Sequence, residues 1–421
     1  MVIVFAQETQ DVVNALTWAR QNDVALRVRS GRHCLGGWNS VDNGIVIDVS
    51  ELKSAKVDAA TKTATVGAGL NQMEAVTELG KAGFAAPTGT EGTVGLVGAT
   101  LGGGFGLLTR NFGMAADNLM AAEVVVPSGV DEATALTADG TDNTDLLWAL
   151  RGAGNGNFGI VTSMTYSVHP LTQTIYVSAT WPGMADLEAV FEAWQTSAPN
   201  TDNRLTSQLE VHSDRILLVG ALGSGTEDEA KRLLEPILSV GRPAVTFQNA
   251  AWADIYAGFQ VPTAEEPANW NFFSQFISEP FPAEAIAVIR SMITKAPTPD
   301  CNYFTNAFGG AVKNSEPSGG SAFVHRNALF YAEPGAGWGT RGGAPAAIDP
   351  LTARCQAWIA EFSQALRPYV SGAYVNVPNV GMADWETAYW GANVDRLRSI
   401  KGKYDPANVF HFEQSIPPAS S

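Results

Sequence analysis

One short segment of this 421-residue sequence combines a histidine with the glycines that a ligand-binding turn needs. Residues 29–39 read RSGRHCLGGWN, with His33 near the centre and Gly31 two positions before it. Gly31 lets the chain turn tightly, and consecutive backbone N–H groups in such a turn can wrap a pyrophosphate. Taken alone, a histidine beside glycines is more often a hydrogen-bonded loop residue than a reactive group. An assignment of chemistry to His33 therefore needs support from the rest of the sequence.

Two further stretches concentrate many of the 42 glycines in the chain. Residues 89–106 read GTEGTVGLVGATLGGGFG, and residues 152–159 read GAGNGNFG. Flexible loops would carry Ser and Pro between their glycines, whereas these stretches are interleaved with Val, Leu and Phe. Such glycines suit a backbone that packs closely against a flat or anionic group. They favour a nucleotide-type ligand over a pair of bare loops.

The order of these segments resembles that of the berberine-bridge-enzyme-like FAD-linked oxidases, within the vanillyl-alcohol-oxidase group. Its motifs are R-S-G-G-H, L-G-G-G-x-G, D-N, W-A-L-R-G-x-G-x-G-N-F-G-I-V-T, H-R, Y-x-N, Y-x-G-x-N-x-x-R-L, K-Y-D-P-x-N-V-F and Q-S-I. The matching residues are, in chain order, Arg29–His33, Leu101–Gly106, Asp117–Asn118, Trp148–Thr162, His325–Arg326, Tyr374–Asn376, Tyr389–Leu397, Lys403–Phe410 and Gln414–Ile416. The motifs span nearly the whole chain, and their common order makes the resemblance specific.

The resemblance implies that the chain binds FAD and that His33 bonds covalently to the 8α-methyl carbon of the flavin ring. An imidazole nitrogen is a good nucleophile near neutral pH, and such a bond is expected to anchor the cofactor and raise its potential. No metal site is expected. The motifs predict this set of cofactor-binding residues: Arg29, Ser30, Gly31, Arg32, His33, Cys34, Gly89, Glu91, Val94, Gly95, Gly98, Gly102, Gly103, Gly104, Asn118, Gly159, Val161, Asn376 and Gln414.

Glu91 departs from the family pattern. Many relatives form a second flavin bond through a cysteine in a G-x-C-x-x-V-G segment, and residues 89–95 place Glu91 at that cysteine. The resemblance therefore implies a single covalent bond, through His33. Cys34 is expected to be a structural thiol, and a non-standard flavin bond from it is the alternative.

The catalytic base is a second departure. The family's N-Y-x-D motif reads Asn376-Val377-Pro378-Asn379 here, so the Tyr and Asp that are associated with activating the substrate hydroxyl are both replaced. Tyr374 remains and is the predicted catalytic residue. Tyr331 and Glu333 lie on one face of a predicted strand and are the alternatives, although packing or exposed positions explain each more simply.

The reaction that the resemblance implies is hydride transfer from a C–H beside a hydroxyl or amine of a small organic molecule, such as a natural product, sugar or alcohol. Val94 lies three residues after the replaced cysteine, where a small residue accompanies oxygen access to the flavin. We therefore expect an oxidase that reduces O2 to H2O2. A flavin-dependent dehydrogenase with a non-oxygen acceptor and a non-catalytic binding protein are the alternatives.

Strand-like and helix-like segments alternate through the first 173 residues and must position these motifs. Apolar runs predict strands at residues 2–5, 25–28, 44–49 and 63–66. Thr9 is the predicted cap of the first helix, and another helix is predicted from Met73 to Ala82. Further along, strands are predicted at residues 216–222, 322–333 and 408–416, and a helix from Asp384 to Asp405.

These elements predict the α+β class, and the resemblance implies a two-domain PCMH-type FAD-binding fold. Residues 1–173 plus 375–421 are expected to form the FAD-binding domain. Residues 174–374 are expected to form an inserted substrate-binding domain, built on a large antiparallel sheet flanked by helices.

The composition of the chain limits the classes of partner that it can bind. The net charge is −16, from 26 basic and 42 acidic residues, and disfavours nucleic acid and anionic membrane surfaces. The expected partners are a small-molecule substrate and O2, with the chain a monomer or homodimer. The three cysteines are too few and too widely spaced for a disulfide framework. A Cys301–Cys355 bridge and free thiols both stay open.

The N-terminal residues show no secretory signal, and no run of about 18 apolar residues predicts a membrane span. We therefore expect a cytoplasmic protein. Relatives carry a further segment before the position where this sequence starts, so we expect either a shortened chain or a cofactor pocket that is completed differently.

Overall fold

The computed structural model describes residues 1–345 and 348–419 and shows a mixed α/β architecture. The described strands are β1 (Val2–Phe5), β2 (Leu26–Arg29), β3 (Ile45–Asp48), β4 (Ala55–Asp58), β5 (Thr63–Gly67), β6 (Phe84–Ala85), β7 (Leu119–Ser128), β8 (Glu132–Ala138), β9 (Ile160–Ser167), β10 (His169–Pro170), β11 (Thr174–Pro182), β12 (Leu205–Val211), β13 (Arg215–Gly223), β14 (Ala244–Ala250), β15 (Asn269–Phe272), β16 (Gln275–Ile277), β17 (Asn302–Ala307) and β18 (Phe330–Trp338).

The described α-helices are α1 (Thr9–Gln21), α2 (Gln72–Lys81), α3 (Leu96–Gly102), α4 (Thr109–Phe112), α5 (Thr144–Leu150), α6 (Leu187–Ser197), α7 (Glu227–Leu238), α8 (Trp252–Gly258), α9 (Ala283–Thr294), α10 (Gly310–Asn314), α11 (Thr352–Leu366), α12 (Trp385–Trp390) and α13 (Val394–Tyr404). None of them is long and apolar enough to cross a membrane.

Two sheets carry the predicted cofactor motifs. The strands β1, β3 and β2 form a parallel three-stranded sheet in that order, and β3 is buried along its whole length. A five-stranded antiparallel sheet has the order β4-β5-β9-β7-β8. The loop after β2 and the loop before α3 hold the first two glycine segments.

The predicted large antiparallel sheet is confirmed. Its order is β14-β11-β13-β12-β17-β18-β15, and β16 pairs with β18. Helices α6, α7, α9 and α11 cover one face and share an apolar core with it. Side chains alternate along each strand, so the opposite face of β18 presents Tyr331 and Glu333 away from that core.

Four hydrophobic clusters form within the described residues, and two of them are large. One joins residues between Ala6 and Val168 with Ala322 and a C-terminal group from Ala373 to Ile416, and the other joins residues between Ile175 and Leu366. The domain limits near residues 173 and 375 stay a prediction, which these cores support.

The cap of α1 is Glu8 and not the predicted Thr9. Glu8 and Asp11 form a reciprocal capping box at the start of this helix. The Thr9 hydroxyl instead donates to Glu123 Oε1 (2.5 Å), which ties the helix to β7. The prediction failed by one residue because the Glu8–Asp11 capping box already makes Thr9 the first residue of the helix.

One predicted strand was right only in its last four residues, and another was wrong. Residues 322–329 are not extended, and β18 begins only at Phe330, because Arg326 turns aside to pair with the buried Asp117. Residues 408–416 form no strand, since Asp405 accepts backbone N–H bonds from Val409 and Phe410 and so bends the chain into turns.

The predicted C-terminal helix does start after Asp384 and end at Asp405, but it is divided. Gly391 has φ +50°, a left-handed conformation that ends α12 before α13 begins at Val394. Cys34, Cys301 and Cys355 are free thiols in the structure.

Candidate functional site

The predicted flavin-binding loop begins where β2 ends. Arg29 Nε donates a hydrogen bond to Asp48 Oδ2 (2.8 Å), and Arg32 Nη2 donates to the same oxygen (3.1 Å). Asp48 is fully buried. Burial raises the pKa of Asp48, but hydrogen bonds from Ser50 and the two arginines outweigh it and hold this pKa below its ordinary value. One buried carboxylate therefore fixes both sides of the turn.

Gly31 lies directly against Gly95, which brings the two glycine segments together. A Cβ on Gly31 would lie 2.0 Å from the backbone nitrogen of Gly95, a distance that no side chain tolerates. Ser30 Oγ donates to the carbonyl of Ala68 (2.7 Å) and holds the turn against β5. Arg32 has φ +64°, in the left-handed region that favours the glycine of the family motif.

His33 extends from this turn toward the second glycine segment. Its Nε2 lies 2.9 Å from Thr93 Oγ1, and the same hydroxyl donates to Glu91 Oε1 (2.7 Å). Burial lowers the pKa of His33 below its ordinary value, against the opposing negative charge of Glu91. The adjacent Cys34 is partly buried, and this burial raises the pKa of its thiol. The structure therefore brings His33 and Glu91 into one hydrogen-bonded line.

The segment that carries Glu91 is held from two sides. Gln72, at the start of α2, donates to the Glu91 carbonyl (2.7 Å) and accepts from the Gly89 N–H. Gln260 accepts from the Gly92 N–H (2.7 Å) and lies beyond α8, in the second half of the chain. Tyr256, within α8, donates to the Gly89 carbonyl (2.9 Å). Sequence analysis missed these three anchors, because their side chains act on a segment far away along the chain.

Asn376 is packed against the glycines at the end of α3. Its Nδ2 donates to the Ala99 carbonyl (2.8 Å) and to the Tyr374 hydroxyl (2.9 Å). A Cβ on Gly102 would lie 2.1 Å from Asn376 Oδ1. This Oδ1 is buried and has no hydrogen-bond partner among the residues that the structure describes. Asn376 therefore keeps an unused acceptor beside the predicted cofactor segment.

Tyr374 lies beside Asn376 and the same glycines. Its hydroxyl accepts a hydrogen bond from the Gly104 N–H (2.9 Å) as well as the one from Asn376. Burial raises the pKa of Tyr374 to about 12, although those two hydrogen bonds act in the opposite direction. The phenol therefore stays protonated at neutral pH and can donate its own proton to a ligand.

The remaining predicted cofactor residues have different surroundings. Gly103 and Gly104 have φ of +135° and +72°, which accounts for glycine at both positions. Gly159 lies against the β7 backbone, 2.7 Å from the Val125 oxygen at its Cβ position. Val161 is buried in β9, Val94 is half-buried, and Gly98 has no atom closer than 3.9 Å to its Cβ position within the described chain.

Asn118 and Gln414 are both engaged by the protein itself. Asn118 donates to the carbonyls of Phe112 and Met114, and its oxygen lies 2.7 Å from His169 Nε2. Gln414 accepts from the Tyr389 hydroxyl (2.8 Å) and donates to a backbone carbonyl (2.8 Å). These contacts join chain segments, and the predicted cofactor contacts of both residues stay a prediction.

The face of the large sheet opposite its helices presents the Glu333 carboxylate beside an aromatic cluster. Tyr331 donates a hydrogen bond to Glu333 Oε2, and the two side chains share one face of β18. Glu333 is partly exposed. Burial raises the pKa of Glu333 to about 7, with Tyr331 lowering it and the charge of Glu210 raising it. The surrounding aromatic cluster consists of Phe105, Phe276, Phe308, Phe323, Tyr331 and Tyr374.

Comparisons with known proteins decide the family. A family profile described as an FAD binding domain matches residues 1–133, and one described as berberine and berberine like matches residues 373–417. Two proteins of Bacillus subtilis, each described as an uncharacterized FAD-linked oxidoreductase, are similar to the chain. YgaK is 38% identical over 99% of this chain and 91% of its own length, and YvdP is 40% identical over 100% and 92%. The chain belongs to the berberine-bridge-enzyme-like FAD-linked oxidoreductases.

A solved structure supports the same fold. The berberine-bridge-enzyme-like protein 1 of Physcomitrella patens superposes with a TM-score of 0.89 at 26% identity, over 100% of this chain and 92% of that one. The predicted PCMH-type FAD-binding fold is thereby confirmed, and so is the predicted family.

The described residues fit an FAD. Gly31 and Gly95 bring the two segments into backbone contact, and Gly102 lets the Asn376 side chain approach the same segment, which leaves glycine backbone free to face a flat or anionic group. The buried, unpartnered Asn376 Oδ1 offers an acceptor to a ligand N–H beside them. Within the described chain, no group of His, Cys, Asp and Glu side chains could hold a metal ion.

Two further polar residues lie beside Tyr331. Gln208 in β12 pairs in register with Asn306 in β17, which pairs with Tyr331, and Gln208 Nε2 donates to Asn306 Oδ1 (2.8 Å). Both side chains are buried. Sequence analysis missed them, although one signal was present: Thr206, Gln208 and Glu210 place polar side chains at every second position of β12.

Proposed function

We propose that this FAD-linked oxidoreductase is an oxidase of small organic molecules. It removes hydride from a C–H beside a hydroxyl or amine, its flavin is bonded to His33, and its electron acceptor is O2. When bound, FAD would supply the two-electron redox chemistry that links oxidation of the substrate C–H to reduction of O2 to H2O2. The residues of the chain bind this cofactor, hold the substrate and move the proton of its heteroatom.

The Tyr331–Glu333 pair is the observation that supports this proposal most strongly. A general base works best when its pKa lies near the operating pH, and the pKa of Glu333 is raised to about 7. Glu333 is partly exposed on the sheet face that carries the aromatic cluster, so a substrate can reach it. In the proposal Glu333 takes the heteroatom proton, while Tyr331 orients its carboxylate.

Tyr374 has a different task in this proposal. Its pKa of about 12 excludes it as the base at neutral pH, because the phenol would have to lose its proton first. Gly104 and Asn376 occupy its acceptor positions, so the remaining hydroxyl proton can be donated to the substrate heteroatom. Tyr374 would therefore orient the substrate rather than deprotonate it.

The covalent bond rests on the state of His33. Because burial lowers the pKa of His33, the imidazole is neutral at neutral pH and keeps a lone pair for bonding. Val94 is half-buried next to Gly95, and its small side chain supports O2 as acceptor. A small-molecule substrate and O2 as partners, a monomer or homodimer, and a cytoplasmic location complete the proposal.

The test begins with the purified protein and its bound FAD. A panel of sugars, primary and benzylic alcohols, amines and phenolic natural products is mixed anaerobically, and bleaching of the flavin absorbance is followed. Air is then admitted, and H2O2 is measured. The proposal expects bleaching by at least one class, rapid recovery of colour in air and one H2O2 for each turnover.

Other outcomes would contradict either the proposed O2 acceptor or the proposed enzymatic function. Bleaching followed by sluggish reoxidation would identify a dehydrogenase. A colourless protein that takes up no FAD would leave only a binding role. Glu210→Gln is the matched control for Glu333→Gln, because Glu210 lies on the same sheet face, two strands away.

A further inference from the structure

Glu91, Thr93 and His33 form a continuous hydrogen-bonded line. We propose that Thr93 and Glu91 are positioning residues that hold His33 with its proton on Nε2 and accept that proton as the flavin bond forms. This inference rests on the proposed covalent attachment of FAD. It assigns a task to Glu91, which stands where many relatives carry a second flavin-bonding cysteine.

The direction of the hydrogen bonds fixes the tautomer. A carboxylate accepts hydrogen bonds and donates none, so the one Thr93 hydroxyl proton points to Glu91 Oε1 (2.7 Å). The hydroxyl can then only accept from His33 Nε2, which lies 2.9 Å away. A neutral imidazole that carries its proton on Nε2 has its lone pair on Nδ1. Nδ1 is therefore the nucleophilic nitrogen.

The line is built on a rigid support. The Thr93 N–H also donates to Glu91 Oε1 (3.1 Å), so the carboxylate is held by two groups of one residue. Gln72 and Gln260 hold the backbone of residues 89–92 from opposite sides. The Thr93 hydroxyl therefore keeps its place and can select one histidine tautomer, as partners of ligating histidines do in metal sites.

The covalent step balances with O2 as oxidant. A bond forms between His33 Nδ1 and the flavin 8α carbon, while the 8α-methyl C–H and the His33 Nε2–H are broken. The Nε2 proton passes through the Thr93 hydroxyl to Glu91, the proton of the broken 8α C–H bond is released to solvent water, and the two electrons of that bond remain on the flavin ring. O2 then takes up these two electrons and two protons and leaves as H2O2, which restores the oxidised flavin.

Three substitutions separate this task from a structural one. Thr93→Val removes the hydroxyl and keeps the shape, Glu91→Gln removes the charge, and Thr93→Ser keeps the hydroxyl. For each protein we measure total flavin per chain, the fraction that stays in the acid-precipitated pellet, and the rate at which loosely bound FAD becomes acid-stable in air. His33→Ala is the reference for no bond.

The proposal expects wild type and Thr93→Ser to hold acid-stable flavin. Thr93→Val and Glu91→Gln should keep total flavin but form the bond about a hundredfold more slowly, in the lower range of general base effects. Bond formation by both variants at the wild-type rate would overturn the inference, and so would a loss of total flavin with an unchanged acid-stable fraction. Wild-type flavin released entirely into the supernatant would instead refute the covalent attachment itself.

Discussion

The two halves of the site are built in different ways. Around His33, loops meet through glycines, and the contact between Gly31 and Gly95 leaves no room for any side chain. Around Glu333, a sheet face meets an aromatic cluster, and the neighbours come from β12, β17 and β18. The geometry around His33 depends on how closely two backbone segments approach each other. The geometry around Glu333 depends on the register in which the strands pair. A cofactor shared by a family suits the first, and a substrate that changes between relatives suits the second.

We expect the largest effect on the reaction from a substitution on the sheet face, at Glu333. Glu333→Gln removes the proposed base but keeps the size and one hydrogen-bonding oxygen of the side chain. We expect the rate of anaerobic flavin reduction at neutral pH to fall by about 10²–10⁴-fold, with total flavin unchanged. Glu210→Gln should keep the rate within a few-fold. Equal rates in wild type and Glu333→Gln would place the base elsewhere.

In the half of the site that is built from glycine loops, a substitution should lower stability by disturbing the packing. Gly102→Ala places a Cβ 2.1 Å from Asn376 Oδ1, so Asn376 and its neighbours must move. We expect a loss of about 1–3 kcal/mol in the free energy of unfolding, measured by urea titration. Gly402→Ala is the matched control, since that helical glycine has no atom near its Cβ position in the described structure. It should be neutral or gain up to about 1 kcal/mol. Equal effects in the two variants would contradict the packing account.

A smaller change should sharpen the role of Tyr331. The Tyr331 hydrogen bond lowers the pKa of Glu333, so Tyr331→Phe should raise this pKa by about one unit. A base must be deprotonated, so the rate of flavin reduction rises with pH through the pKa and is lost below it. The rising limb should therefore move to higher pH in the variant. A limb that stays in place, or moves to lower pH, would show that Tyr331 does not act on Glu333.

The smallest expected effect concerns O2. Val94→Leu adds one methylene next to the glycine segment and should slow reoxidation of chemically reduced flavin several-fold, without changing the reduction rate. Stopped-flow mixing with air-saturated buffer measures it. Val57→Leu, in β4 on the separate five-stranded sheet, is the control. Unchanged reoxidation in Val94→Leu would remove Val94 as support for an oxidase.

The sequence was sufficient to predict the family and the fold, because tight backbone contacts require glycine at particular spacings. His33 and Glu91 both belong to the predicted cofactor-binding set, but the sequence predicts no contact between them. The bond through Thr93 could not be predicted either, since a hydroxyl two residues further on carries no signal until the turn is folded.

The sheet face was harder to predict for a physical reason. Tyr331 and Glu333 were recognised as sharing one face, yet packing seemed the simpler explanation for both. Phe105 and Tyr374, which lie far away in sequence, pack against Tyr331, and burial in the folded protein raises the pKa of Glu333. Contacts between residues that are far apart in the sequence leave no signal in a local sequence pattern.

The pH dependence of anaerobic flavin reduction, measured in wild type and in Glu333→Gln with the best substrate of the panel, tests the central claim most directly. The account predicts that the wild-type rate rises with pH through a single apparent pKa near 7, as the Glu333 carboxyl loses its proton. In Glu333→Gln the rate should be low and independent of pH through that range. The same rising limb in both proteins would contradict the account.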